Sequence, residues 1–218
     1  MKRVLICVCL AACATVMHRG VVAFSQEEVV DRIVAKVEDD IILLSQVQLL
    51  EKYQTLMDEK HEPEDQIVKR LIDQWIVNRE IQASRFPPPS EADIDRSMRR
   101  MERSFSSPEE LRERERQLGL TSEDVRKIVT NQVYYSNYLD SRFRPTVQID
   151  DAAIQKFYDD VVLPRAKRRG ANPPTLENAR DYIQEALVQR GINEQAERWL
   201  NESRSRLHIE IFLSGDDK

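Results

Sequence analysis

Cysteine and glycine are the residue types in shortest supply in this chain of 218 residues. All three cysteines, Cys7, Cys9 and Cys13, lie close to the start, so a chain beginning near residue 26 contains none and cannot use disulfides to support a thin core. Only five glycines are present, whereas 33% of the residues are charged. This balance favours long solvated helices over extensive sheet. The sequence therefore predicts a mainly α fold that is held together by packing alone.

The first 25 residues have the pattern of a secretory signal peptide. A basic start at Met1–Arg3 precedes an apolar run, and small residues near Ala23 and Ser25 offer cleavage points. The run has about 14 residues, fewer than the roughly 20 that a transmembrane helix needs. The sequence before Cys13 also resembles a lipobox, in which Cys13 would become the lipidated first residue. We predict a signal peptide at 1–25 and a periplasmic location, with lipid anchoring through Cys13 as the alternative.

Clustered positive charge is also scarce. Loss of Lys2, Arg3 and Arg19 with the signal peptide would move the formal net charge from −5 to −8. Basic residues alternate with acidic ones, as in LRERERQ at 111–117, and we expect no one-sign basic stripe. Because phosphate recognition relies on clustered lysine and arginine, nucleic acid is not an expected partner.

Residues that carry catalysis or bind metals are few. After the signal peptide only His61 and His208 remain, far apart in the sequence and each in polar surroundings. Metal sites need several converging ligands, and nucleophilic triads need a histidine beside a serine and an acid. No glycine-rich phosphate loop is present either. We predict a protein that is not an enzyme and that uses no metal, cofactor or small-molecule substrate.

The two ends of the chain carry its strand signals. Val29–Leu43 reads as two short strands around an acidic turn, and Leu207–Phe212 alternates apolar and polar residues. An isolated hairpin is at best marginally stable. We therefore predict that the last strand joins the hairpin in a small sheet.

Helices are predicted between these ends, each from a start signal followed by apolar residues at helical spacing. Ser45 and Gln48 form a predicted capping box for a first helix that ends near Lys60, and a second helix is predicted over 64–84. Later helices are predicted to start at Ser90, Ser107-Pro108, Thr121, Asp150 and Thr175. Whether the last of these helices breaks at Gly191 is left open.

The segment 163–174, LPRAKRRGANPP, reads as a polar linker bounded by prolines. It separates a hairpin and helical region at 26–162 from a long helix and strand at 175–213, which would complete the same domain, and residues 214–218 form a tail.

Several apolar side chains occupy positions that a core need not use. Tyrosine is amphipathic and methionine is adaptable, and both suit surfaces that bind varied partners. The competing interpretation is core packing, which is the commoner role of such stripes. The candidates for a polypeptide-binding surface are Tyr53, Met57, Met98, Met101, Phe105, Tyr134, Tyr135 and Tyr138.

Four segments in order resemble the N-terminal domain of the SurA family of periplasmic chaperones. They are VVDRIVAKVEDDIILLSQVQ at 29–48, IVKRLIDQWIVNREI at 67–81, LGLTSEDVRKIVTNQV at 118–133 and AERWLNESRSRLHIEIF at 196–212. Glu38 departs from the asparagine that the family often has at that point, which we expect to alter only the turn.

The resemblance implies a helical domain closed by a small sheet that holds unfolded outer-membrane proteins or other exported polypeptides without ATP. Family members usually carry parvulin isomerase domains where this chain has only 163–174, which is too short for a domain of about 100 residues. No isomerase activity is therefore expected. The alternative function is a periplasmic adaptor that binds one folded partner or forms a homodimer.

Overall fold

The computed structural model describes residues 31–213, and the predictions for the signal peptide, Cys13 and the tail lie outside these residues. The described part is mainly α with one small sheet, as predicted. Its elements are β1 (Ile33–Val37), β2 (Asp40–Leu43), α1 (Leu44–Leu56), α2 (Glu64–Ser84), α3 (Glu91–Glu102), α4 (Pro108–Leu118), α5 (Ser122–Phe143), a 3-10 turn (Arg144–Thr146), α6 (Asp151–Phe157), a π-helical turn (Tyr158–Val162), α7 (Leu163–Arg168), α8 (Leu176–Arg204) and β3 (Ile209–Ile211).

The sheet joins the two ends of the described chain, which confirms the predicted pairing. Its order is β2-β1-β3, and both pairs are antiparallel. Glu38 lies in the turn of the hairpin with a positive φ of 53°. Its backbone N–H donates to the His208 carbonyl at 2.9 Å, and its Oε1 accepts from the His208 N–H at 2.9 Å. The turn residue that departs from the family pattern therefore also anchors the C-terminal strand.

The start and end of α1 differ from the prediction. Ser45 does not cap the helix, because its hydroxyl and its backbone N–H both donate to the Asp31 carboxylate. Gln46 Oε1 instead accepts from the Leu43 N–H at 2.8 Å. The helix ends at Leu56 rather than near Lys60, and Asp58 takes a left-handed φ of 54° directly afterwards.

The predicted starts of the middle helices are confirmed by their hydrogen bonds. Each of the capping side chains of Ser90, Ser107 and Thr121 accepts from the backbone N–H three residues on, which satisfies one of the free donors of the first turn. Gly119 closes α4 with a φ of 63°, a conformation that glycine adopts without steric cost.

The segment predicted as a linker at 163–174 is helical in its first half. Asp150 caps α6 as expected, but the chain then passes through the π-helical turn into α7 without a break. Pro164 has no N–H to donate, and helices accommodate such a missing bond by a local change of hydrogen-bond pattern. The helix ends where Gly170 takes a φ of 63°.

The last helix, α8, runs unbroken through Gly191. A Cβ at this position would lie 2.7 Å from Cγ1 of Val147. Glycine is therefore present because the 3-10 turn and its following residues approach the helix closely, and the break left open by the sequence does not occur.

Within residues 31–213, buried apolar side chains form three clusters. The main core joins the sheet, α2, the end of α5 and the C-terminal half of α8. The groove cluster joins α1, α3, α4 and the first half of α5. The distal cluster is small, with Ile154, Ala179 and Ile183 as its buried members between α6 and the N-terminal half of α8.

Candidate functional site

Tyr53 separates two concave surfaces where α1 meets α2, α3 and α5. Its ring is buried, and its hydroxyl points to Gln132 Oε1 of α5 at 3.5 Å. Because Tyr53 and Gln132 line both surfaces, the two are neighbours. We name them the first and the second groove.

The first groove lies between α1, α2 and α5 and has a cavity volume of ≈ 330 Å³. Its lining mixes aromatic, amide and charged side chains. The lining residues are Leu50, Tyr53, Gln54, Glu59, Arg70, Asp73, Gln74, Gln132 and Tyr135.

Burial shapes the electrostatics of the first groove. It raises the pKa of Asp73, although the ion pair with Arg204 opposes the shift. Burial and the nearby Asp73 charge raise the pKa of Tyr135 to about 12. The pKa of Tyr53 is raised by burial and by the charge of Glu59. Burial therefore disfavours the charged forms of Asp73 and of both tyrosines, while Asp73 forms its ion pair with Arg204.

Gln54 is the least satisfied polar residue of the first groove. The residue is only 2% exposed, and Oε1 has no hydrogen-bond partner among the described residues. Buried polar groups are almost always hydrogen-bonded, and leaving one unpaired costs about 1–3 kcal/mol. An unpaired acceptor therefore lies beneath the first groove.

The second groove lies between α1, α3 and α5 and has a volume of ≈ 540 Å³. Its lining mixes flexible methionine side chains with short polar side chains. Its lining residues are Tyr53, Met57, Ser97, Arg100, Met101, Ser104, Val129, Gln132, Val133, Ser136 and Asn137.

The eight residues predicted for polypeptide binding fall into two groups. Tyr53, Met57, Met98, Met101 and Phe105 belong to the groove cluster, and they come together as expected of neighbours on one surface. The three tyrosines of α5 belong instead to the main core: these are Tyr134, Tyr135 and Tyr138.

Three of the eight predicted residues are more deeply buried than a binding surface requires. Tyr53, Met101 and Tyr138 are at most 7% exposed. Tyr138 packs edge-on against Phe86 with ring centres 5.5 Å apart, and the Tyr134 hydroxyl donates to the Phe86 carbonyl at 2.6 Å. Tyr135, which is partly buried, reaches the first groove.

The amides of the grooves were missed by the sequence analysis. Gln54 follows Val47 and Leu50 at helical spacing and precedes Met57, so it occupies an apolar stripe of α1. A polar residue at such a position is the signal that could have identified it. Gln132 gives no comparable signal, because its role depends on the crossing of α1 and α5.

The two histidines lie at the surface beside acids. His208 Nε2 is 2.8 Å from Glu210 Oε1, and His61 Nε2 is 4.0 Å from Glu51 Oε1. Over residues 31–213 no three or more His, Cys, Asp or Glu side chains are grouped so that they could hold a metal ion.

Comparison with models of known protein families and with curated proteins gives no match. Within residues 31–213, no helix has the length and apolar character needed to cross a membrane. The likeness to the SurA family therefore rests on the four sequence segments and stays a prediction.

Proposed function

We propose that the chain is an ATP-independent periplasmic chaperone that binds unfolded outer-membrane proteins or other exported polypeptides. The proposal rests on the sequence resemblance to the SurA family and on a binding surface of suitable chemistry. In this interpretation the fold is a SurA-like helical domain closed by its terminal strands.

The pair of grooves beside Tyr53 is the observation that carries the proposal. An unfolded client offers apolar side chains together with unpaired backbone donors and acceptors. The second groove offers Met57 and Met101 beside Ser97 and Asn137, and the first groove offers the amides of Gln74 and Gln132. Adaptable methionines combined with amides and hydroxyls suit clients of varied sequence.

Binding is expected to be weak per residue and reversible, since nothing in the proposal couples it to nucleotide. Isomerase activity is not part of the proposed function. The chain between α6 and α8 contains α7 and a few further residues, which leaves no room for a catalytic domain of about 100 residues.

The test is suppression of aggregation of a chemically unfolded outer-membrane barrel protein on dilution. The chain from residue 26 onward is compared with two variants of equal charge change, Met57→Glu in the second groove and Gln184→Glu on the exposed face of α8. We expect suppression at near-stoichiometric ratios by the parent and by Gln184→Glu, and a several-fold weaker effect with Met57→Glu. No suppression of several unrelated clients contradicts the proposal.

The second candidate function is an adaptor that binds one folded partner or a second copy of itself. Large apolar side chains at the sheet favour it, since Ile33, Ile41, Ile211 and Phe212 are each at least 42% exposed. Light scattering after size exclusion distinguishes the two. A stable dimer that dissociates in an Ile41→Lys variant, together with no activity on unfolded clients, favours the adaptor.

A further inference from the structure

A dense basic segment lies at the end of the helix formed by α6 and α7. It consists of Arg165, Lys167, Arg168 and Arg169, and no acidic residue occurs from 161 to 176. The expectation that the chain has no one-sign basic stretch is wrong here. The reason is that Lys167, Arg168 and Arg169 follow one another in a segment that contains no acidic residue.

The four cations of the basic segment have no protein partner in the described residues. All four are exposed, and none makes an ion pair or a side-chain hydrogen bond within residues 31–213. The neighbouring acid Asp160 is bound by Lys156 at 2.7 Å, and Asp151 is bound by Arg180. The segment therefore carries positive charge that no ion pair neutralises, although the exposed acids Asp159, Glu177 and Asp181 lie nearby along the chain and the whole chain has a net charge of −5.

An apolar and aromatic cavity of ≈ 480 Å³ adjoins the basic segment. Arg165 and Arg169 line it together with Phe157, Val161 and Tyr182, and no carboxylate contributes to the lining. Tyr182 is 64% exposed, the most of any large apolar side chain described, and its hydroxyl has no hydrogen-bond partner among the described residues. Cations and an exposed aromatic ring thus share one face, which we name the basic face.

The chemistry of the basic face selects the class of partner. Long cationic side chains that no hydrogen bond holds in place can bind a surface whose negative charge is spread over many phosphates. Recognition of one acidic peptide instead favours arginines held in a fixed, bidentate geometry. Tyrosine prefers the boundary between water and lipid, where its ring is buried and its hydroxyl stays wet. Basic residues beside an aromatic residue are the combination found in segments that lie on membrane surfaces.

We propose that the basic face docks the protein peripherally on an anionic phospholipid bilayer. Arg165, Arg168 and Arg169 face the lipid phosphates, and Tyr182 enters the headgroup region, whereas Lys167 lies on the opposite side of the helix. Each lysine or arginine near an anionic surface raises the association constant about fivefold. This proposal does not depend on client binding, because the grooves beside Tyr53 and the basic face use different residues.

The test is co-flotation of the chain from residue 26 onward with vesicles of phosphatidylcholine alone or mixed with phosphatidylglycerol. Arg168→Glu/Arg169→Glu is compared with Arg96→Glu/Arg99→Glu, which makes the same charge change at exposed positions of α3 outside both grooves. Circular dichroism checks that both variants stay folded. Tyr182→Ser tests the aromatic contribution, and a mixture with polyglutamate tests the alternative partner.

We expect binding to phosphatidylglycerol vesicles that weakens with salt, and little change in the α3 control. Loss of two arginines alone lowers the association constant roughly 25-fold, and the two added glutamates should lower it further in the first double variant. A smaller fall is expected with Tyr182→Ser. Equal binding to both vesicle types overturns the proposal, and so does an equal loss in both double variants. Binding to polyglutamate without binding to anionic vesicles also overturns it and assigns the face to an acidic protein.

Discussion

The two halves of α8 are built on very different amounts of buried surface. Its C-terminal half contributes Ile192, Ala196 and Leu200 to the main core, where the sheet, α2 and α5 also meet. Its N-terminal half contributes Ala179 and Ile183 to the distal cluster, whose only other fully buried member among the described residues is Ile154. One continuous helix thus packs against many buried side chains in its C-terminal half and against few in its N-terminal half. Local stability follows the density of buried contacts, so the two halves should open independently.

The two proposed binding surfaces, the grooves beside Tyr53 and the basic face, also differ in how much buried core supports them. The grooves beside Tyr53 lie on the well-packed part of the molecule, which holds the binding groups in place. The basic face lies beside the distal cluster, where the helix pair can adjust to a surface. The following predictions test this contrast, from the largest expected effect to the smallest.

Truncation of the same side chain in the two clusters should have unequal consequences. Ile67 and Ile183 are both completely buried. Ile67→Ala leaves a cavity in the main core and is expected to lower the free energy of unfolding by about 2–5 kcal/mol. Ile183→Ala should cost about 2 kcal/mol, at the low end of that range, because a small cluster collapses more easily around a cavity. Tryptophan fluorescence during urea denaturation measures the first change, because Trp75 and Trp199 both pack on the main core. Hydrogen exchange of α6 and the N-terminal half of α8 measures the second.

Hydrogen exchange provides the control for this pair. With Ile183→Ala, the loss of protection should be confined to α6 and the N-terminal half of α8, whereas Ile67→Ala should lower protection throughout. Equal loss over the whole chain in both variants would show that the two clusters unfold as one unit.

A methyl group added at Gly191, where the two halves of α8 meet, should destabilise the protein. Gly191→Ala gains about 1 kcal/mol of helix propensity, but its Cβ would lie 2.7 Å from Val147 Cγ1. Overpacking of this kind typically costs 1–3 kcal/mol, so a net loss of about 1 kcal/mol is expected from thermal unfolding. Val147→Ala in the same chain should recover most of the loss, and a double variant no better than Gly191→Ala would refute the steric explanation.

Loss of the cap of α8 should affect only its first half. The Thr175 side chain accepts from the Asn178 N–H at 3.3 Å. Thr175→Ala is expected to cost about 1 kcal/mol and to raise exchange rates in the first turns of α8. Thr175→Ser keeps the acceptor and should behave like the parent, whereas protection unchanged in Thr175→Ala would show that the cap contributes nothing.

The first groove should make stability sensitive to alkaline pH. Burial and the Asp73 charge raise the pKa of Tyr135 to about 12 from an ordinary value of 10.0. The unfolded chain therefore loses this proton first as the pH rises. The corresponding stabilisation is complete below pH 10 and is lost between pH 10 and about 12. Absorbance titration of the phenols should show one fewer late-titrating tyrosine in Tyr135→Phe, and an unchanged late phase would contradict the assignment.

Local signals in the sequence predicted most of the fold. The caps at Ser90, Ser107, Thr121, Asp150 and Thr175 depend on residues within one turn, and the structure confirms each of them. The pairing of the terminal strands was predicted because a small hairpin needs another strand.

The errors arose where distant residues compete with local ones. Ser45 looks like a cap in sequence, but the Asp31 carboxylate takes its hydrogen bonds. The sequence leaves a break at Gly191 open, and none occurs because the glycine gives room to Val147 from another part of the chain. For the candidate site, side-chain character identified Met57 and Tyr135, but no local pattern shows which face of α5 the core uses.

The most direct test of the proposed function maps where an unfolded client touches the protein. A photo-crosslinking residue is placed at position 57 in the second groove or, as the control, at the exposed position 184 of α8, and each protein is mixed with an unfolded outer-membrane barrel protein. We predict strong crosslinking from position 57 that an unlabelled second client suppresses, with little from position 184. Equal crosslinking from both positions, or none from position 57, would contradict the assignment of client binding to the grooves beside Tyr53.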